Sequence, residues 1–116
     1  MHQYKELKFW QQSRLFCKDI YLITATFPDE EKFGLVSQLR RAVISISSNI
    51  AEGASRKSNK DFSRFLTIAL GSCYEIETQL LISSDLGFIS ETDVNIHLQK
   101  LMTIIKMMSK FNSTLS

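Results

Sequence analysis

The residues able to carry out chemistry are few and scattered. His2 and His97 are the two histidines, and Cys17 and Cys73 the two cysteines. Nucleophilic catalysis needs a serine or cysteine within reach of a base. His2 lies beside the chain start, and His97 flanks the apolar stripe of its segment, where a histidine reads as a boundary residue. Both cysteines fall on apolar helical faces and read as small buried hydrophobes, unpaired in a reducing compartment. No glutamate has a histidine three residues on, as ferritin-like metal bundles require, and no paired cysteines show zinc spacing. Gly34, Gly53, Gly71 and Gly87 stand alone, so no glycine-rich loop cradles a phosphate. The expectation is a non-enzyme without metal or cofactor.

Two polar features remain. Arg40, Arg41, Arg56, Lys57, Lys60 and Arg64 are concentrated in residues 40 to 64 against only Glu52 and Asp61. Arg56, Lys57, Lys60 and Arg64 fall on a loop and the first turns of the helix after it. Cations there oppose the helix macrodipole, so they do not serve that helix. They are a candidate surface for nucleic acid or a partner, against the alternative of an ordinary charged loop. The second feature is a polar stripe, Arg41, Ser45, Ser48, Asn49 and Glu52, with Arg64, Ser72, Glu75 and Glu77 as its counterpart on the next helix. From pattern alone the stripe reads first as a solvated helix face. The sharper alternative is a buried or interfacial network in which arginine pairs with carboxylates to offset desolvation.

The elements that position these residues are helical. The chain has 116 residues, 44% of them hydrophobic and 22% charged, with four glycines and one proline. That excludes disorder and a turn-dense β-sandwich, and the length fits a single domain over residues 1–116. Apolar residues at helical spacing define four segments. The first runs from Glu6 to Thr26 and is ended by Phe27-Pro28. The second runs from Lys32 to Glu52, with Gly53 as a left-handed stop. The third is capped by Ser58 with Asp61 three residues on, and stops at Gly87. The fourth starts at the cap Ser90, with Asp93 three residues later, and reaches Phe111. Short connections make neighbours antiparallel, so the expected fold is all-α, an up-down-up-down four-helix bundle. The second segment is apolar on more than one face, which points to a partner beyond the chain itself.

The formal charge is +2, from 14 basic and 12 acidic side chains, which argues against a polybasic nucleic-acid wrapper. No uncharged run exceeds ten residues, too short to span a bilayer. The N-terminus lacks an apolar signal core, so the expected location is cytoplasmic, away from membranes.

The stretch from Phe27 to Gly87 carries more specific information. It contains Phe33-Gly34-Leu35, Gln38-Leu39-Arg40-Arg41-Ala42 and Ser48-Asn49-Ile50-Ala51-Glu52-Gly53, then Arg64-Phe65-Leu66, Gly71-Ser72, Glu75 and Glu77. These strings resemble the bacterial four-helix-bundle family of 23S rRNA intervening-sequence proteins, which is related to the accessory variability proteins of diversity-generating retroelements. Ser47 departs from the pattern, because many relatives have a proline there that would kink the helix.

The resemblance implies an antiparallel bundle assembling into a homopentamer, without enzymatic activity. It implies nucleic-acid association, of RNA or rRNA, through a basic surface. Arg41, Asn49, Glu52, Gly53, Ser72 and Glu75 match the family pattern, which favours the network reading over the solvated face and makes Arg41, Asn49, Glu52 and Glu75 its members. Arg56, Lys57, Lys60 and Arg64 are the better candidates for the RNA or partner surface. The alternative function is a protein-interaction scaffold, or accessory subunit, without direct nucleic-acid contact.

Overall fold

Apolar side chains spaced three and four residues apart wind onto one stripe per segment, and burying those stripes against each other produces the fold. A computed structural model describes residues 2–116. Among these, four α-helices follow in order: α1 (Lys8–Thr24), α2 (Leu35–Ala54), α3 (Asn59–Asp85) and α4 (Glu91–Ser113). Short 3-10 turns at Tyr4–Glu6 and Asp29–Glu31 precede α1 and α2. Each helix packs against its two neighbours around a ring, α2 against α3 most extensively and α1 against α4 least. The result is an antiparallel four-helix bundle measuring 43 × 24 × 19 Å.

Phe16, Ile20, Leu39, Ile46, Phe62, Leu66, Ile76, Leu101 and Met108 are fully buried along its axis. Each such side chain contributes roughly 1.5–3 kcal/mol relative to exposure. The buried hydroxyls of Ser13, Thr24 and Ser83 donate to the carbonyls of Phe9, Ile20 and Gln79, one turn earlier, at 2.6, 2.6 and 2.7 Å. That keeps them from being unpaired polar groups in the core.

The caps form where the sequence places them. The Oγ atoms of Ser58 and Ser90 accept from the amides of Asp61 and Asp93, both at 3.1 Å. Gly87, with φ of 79°, takes the left-handed position after α3.

Three boundaries differ from expectation. α1 ends at Thr24, because Phe27 turns inward and packs on Phe88, with ring centroids 5.7 Å apart. α2 begins at Leu35 rather than Lys32: residues 29–31 form a 3-10 turn after Pro28, and Glu31 Oε1 accepts from the Leu35 amide at 3.3 Å. Gly53 is not a left-handed stop. The helix runs through it to Ala54, and the glycine is instead demanded by packing. A Cβ at position 53 would lie 2.6 Å from the Phe65 Cβ and 3.0 Å from the Phe62 Cδ1.

The second apolar face of α2 is only partly covered within the chain: Ala42 is buried and Ala51 half-buried, but Ile44 is exposed. Apolar surface is also left open on α1, at Leu15 and Leu22, and on α3, at Ile68, Leu81 and Ile82, with Leu86 exposed just beyond that helix.

Candidate nucleic-acid interface

The turn from α2 to α3 builds one end of the bundle. Ser58 caps α3, so Lys60 and Arg64 lie on its first turns, while Arg56 and Lys57 occupy the turn itself. The absent Cβ at Gly53 lets α3 approach α2 closely enough to lodge Phe65 at this end. Two guanidinium groups then use that ring. Arg56 lies 4.8 Å and Arg64 4.5 Å from its centroid. A cation over an aromatic face is stabilised by about 0.5–1 kcal/mol at exposed sites, so both side chains are held in place while their charges stay near solvent.

Each arginine also has a carboxylate. Arg56 Nη2 reaches Glu52 Oε1 at 3.0 Å, and Arg64 Nε lies 3.5 Å from Asp61 Oδ1. Lys57 and Lys60 are exposed and make no ion pair among the described residues. All four predicted basic residues are thus brought to one end of the molecule.

Beneath them, the rings of His2, Phe9, Phe62 and Phe111 pack at centroid separations of 5.0 to 5.6 Å. The His2 amide donates to the Ala54 carbonyl at 3.0 Å. A cluster of aromatic rings therefore underlies the charged end.

The opposite end, where α1 turns into α2 and α3 into α4, carries Asp29, Glu30, Glu31, Asp85, Glu91 and Asp93. The bundle is electrically polarised along its length. The small net charge conceals this, because the acidic residues are far apart in sequence and meet only through the topology.

The polar stripe takes a different form from the expected one. Ser45 is its centre: its Oγ receives Ser72 Oγ from α3 at 3.0 Å and Asn49 Nδ2 at 2.9 Å. Asn49 Nδ2 also donates to the Ser45 carbonyl at 2.8 Å. Farther along the seam, Gln79 Nε2 donates to Gln38 Oε1 at 3.1 Å.

Arg41 and Glu75 border the same seam in an open depression of about 440 Å³, lined with Gln38, Ala42, Ser45 and Ser72. Both are exposed, and neither makes an ion pair among the described residues. Glu52 pairs with Arg56 instead. Within one chain, the Ser72–Ser45 and Gln79–Gln38 bonds connect α3 to α2, Asn49 braces Ser45 from its own helix, and Arg41 and Glu75 take no part.

His97 is half-buried, with its ring edge-on to Phe16 at 6.5 Å and its Nδ1 buried without a hydrogen-bond partner. Burial lowers its pKa, opposed by the nearby charges of Asp19 and Asp93. Cys73 is fully buried, its thiol pushed up to about 12 by desolvation. Cys17 is only half-buried, on a groove between α1 and α2. Among the described residues no cluster of three or more His, Cys, Asp or Glu side chains could hold a metal ion. No helix of the described residues is long and apolar enough to cross a membrane.

The residue missed in the sequence is Phe65. It reads as one more core position on the α3 stripe, yet it organises the basic end. The available signal was Arg64 beside it and Arg56 nine positions earlier, but only the Gly53 contact brings the two together.

This architecture defines a class, a small antiparallel four-helix bundle with one basic end. The chain belongs to the 23S rRNA-intervening sequence protein family, whose pattern matches residues 5–110. Its fold is similar to the crystal structure, at 1.70 Å, of a protein of unknown function from the S23 ribosomal protein family of Bacteroides thetaiotaomicron. The two share 24% identity with a TM-score of 0.83, over 90% of this chain and 95% of that one. No curated protein matches the chain.

Proposed function

We propose that the protein acts by binding rather than catalysis, as a self-associating bundle that contacts RNA through Arg56, Lys57, Lys60 and Arg64. The observation that carries this reading is the Arg56–Phe65–Arg64 stack with Lys57 and Lys60 unpaired beside it. It is a preorganised cationic end on a molecule whose other end is acidic. Such polarity attracts a polyanion to one end and turns the other away. The family is named for proteins of 23S rRNA intervening sequences, so rRNA or another structured RNA is the expected ligand. The cytoplasm is the compartment this reading requires.

The proposal extends to assembly as a homopentamer, the state the family resemblance implies. The exposed Ile68, Leu81 and Ile82 of α3, with Leu86 just beyond it, supply apolar area for a subunit contact. Arg41 and Glu75, unpaired within the chain, supply complementary charges beside it. A cyclic assembly repeats the basic end into a ring of positive charge.

Two measurements test these points. In fluorescence anisotropy at about 50 mM salt, where phosphate contacts are strong, the wild-type protein binds a labelled structured RNA. Replacing Arg56, Lys57, Lys60 and Arg64 with Gln weakens binding roughly tenfold or more. Absence of wild-type binding contradicts the RNA reading. Light scattering coupled to size exclusion yields a multiple of 13.3 kDa, and a monomer mass contradicts self-association.

A further inference from the structure

A groove of about 510 Å³ runs between α1 and α2, lined by Trp10, Arg14, Cys17, Lys18, Tyr21, Ile44, Ser47 and Ser48. We propose that this groove, where Trp10 and Tyr21 share a face with Arg14, Lys18 and Arg40, is a stacking site for unpaired nucleobases of a single-stranded segment. The proposal rests on the RNA-binding reading and adds a second contact of a different kind, along the α1–α2 flank.

The geometry follows from helix arithmetic. Trp10 and Tyr21 are eleven residues apart, which is three turns, so they project from nearly the same face about 16 Å apart. Bases two or three nucleotides apart in an extended strand can meet both rings. Tyr21 is partly exposed and its ring carries Arg40 at 4.5 Å from the centroid. Arg40 is itself fixed, Nε donating to Thr24 Oγ1 at 2.9 Å and Nη2 to the Tyr21 carbonyl at 3.2 Å. Trp10 is braced edge-on by Tyr4, centroids 5.1 Å apart, with Arg14 at 5.8 Å from its ring. Aromatic and guanidinium planes are the surfaces on which unpaired bases stack.

Charge complementarity selects the occupant. α1 and α2 each contain a single carboxylate, Asp19 and Glu52, and both are engaged elsewhere, with Lys100 at 3.1 Å and Arg56 at 3.0 Å. Arg14, Lys18 and Arg40 make no ion pair among the described residues. A groove with aromatic walls, free cations and no carboxylate in its lining fits a phosphate backbone carrying exposed bases. The basic end has no comparable platform, because the Phe65 ring is buried and already holds two guanidinium groups.

Trp10 is the only tryptophan in the chain, so the emission comes from a single residue on the groove wall. The probes are a single-stranded RNA of about 12 nucleotides, within the usual footprint of such sites, and an abasic strand of the same length and charge. The base-bearing strand quenches Trp10 emission saturably, and the abasic strand does not. Tyr21→Ala weakens binding of the base-bearing strand about 5- to 150-fold, the range for one lost stacking platform, and leaves the abasic strand unaffected. Trp10→Phe, which keeps an aromatic surface, retains most of the affinity.

Equal affinity for both strands with unchanged Trp10 emission overturns the groove and leaves the basic end standing. Quenching that persists at full strength when Arg56, Lys57, Lys60 and Arg64 become Gln supports the groove and removes the basic end from the account. Failure of the wild-type protein to bind either strand at about 50 mM salt overturns both.

Discussion

Gly53 and Phe65 are in such close contact that a Cβ added to the glycine would sit 2.6 Å from the Cβ of the phenylalanine. Both atoms are fixed by backbone, so no rotamer change relieves the clash. The contact joins fold to site, since the same Phe65 ring carries Arg56 and Arg64.

Gly53→Ala therefore sets two effects against each other. Alanine is favoured over glycine inside a helix by roughly 0.5–1 kcal/mol. Overpacking a tight contact costs about 1–3 kcal/mol, and an overlap this deep belongs near the upper end. The expected result is a net loss near 2 kcal/mol and a Tm lower by at least about 4 °C. An unchanged or raised Tm in a thermal melt contradicts the packing role of Gly53.

Much of this bundle is legible in the sequence, for a physical reason. Each helix buries one stripe, so periodicity locates it, and Ser58, Ser90 and Gly87 mark ends with side-chain and backbone chemistry that acts locally. Gly53 shows the limit. A glycine that ends a helix and one that admits a neighbouring helix look alike until Phe65 is placed beside it. The stripe on α2 is visible as polar, but whether Arg41 reaches Glu75 depends on side-chain placement across the seam, and Ser45 with Ser72 and Gln38 with Gln79 make the connection instead. The opposed charges of the two ends were hidden because Asp29–Glu31 and Glu91–Asp93 converge only through topology.

Arg41 separates a role inside the chain from one between chains. It is exposed and has no ion pair among the described residues, so Arg41→Ala alters the stability of the isolated fold by no more than about 0.5 kcal/mol. Its effect is expected in assembly. Light scattering over a dilution series finds the variant dissociating at higher protein concentration than wild type. A large fall in Tm with the association state unchanged contradicts this assignment.

His97 gives the fold a pH dependence of known sign. Burial holds its folded pKa below the ordinary histidine value of about 6.5. Between the two values the unfolded chain binds more protons than the folded one, so stability rises with pH in that window. The contribution is complete above about pH 6.5 and is lost as the pH falls toward the folded value. Thermal melts from about pH 8 to about pH 5 should show a smaller decline for His97→Gln than for wild type. Identical declines in both proteins contradict the role of His97.

The central claim, that free cations at the Phe65 end bind phosphates, is tested most directly by the salt dependence of RNA affinity. Each neutralised phosphate contributes a log–log slope of roughly −0.7 to −0.9. Lys57 and Lys60 have no carboxylate partners among the described residues, so they are the side chains free to release counterions. Replacing both with Gln is predicted to flatten the slope by about 1.4–1.8 relative to wild type. Parallel lines for wild type and variant would contradict the account.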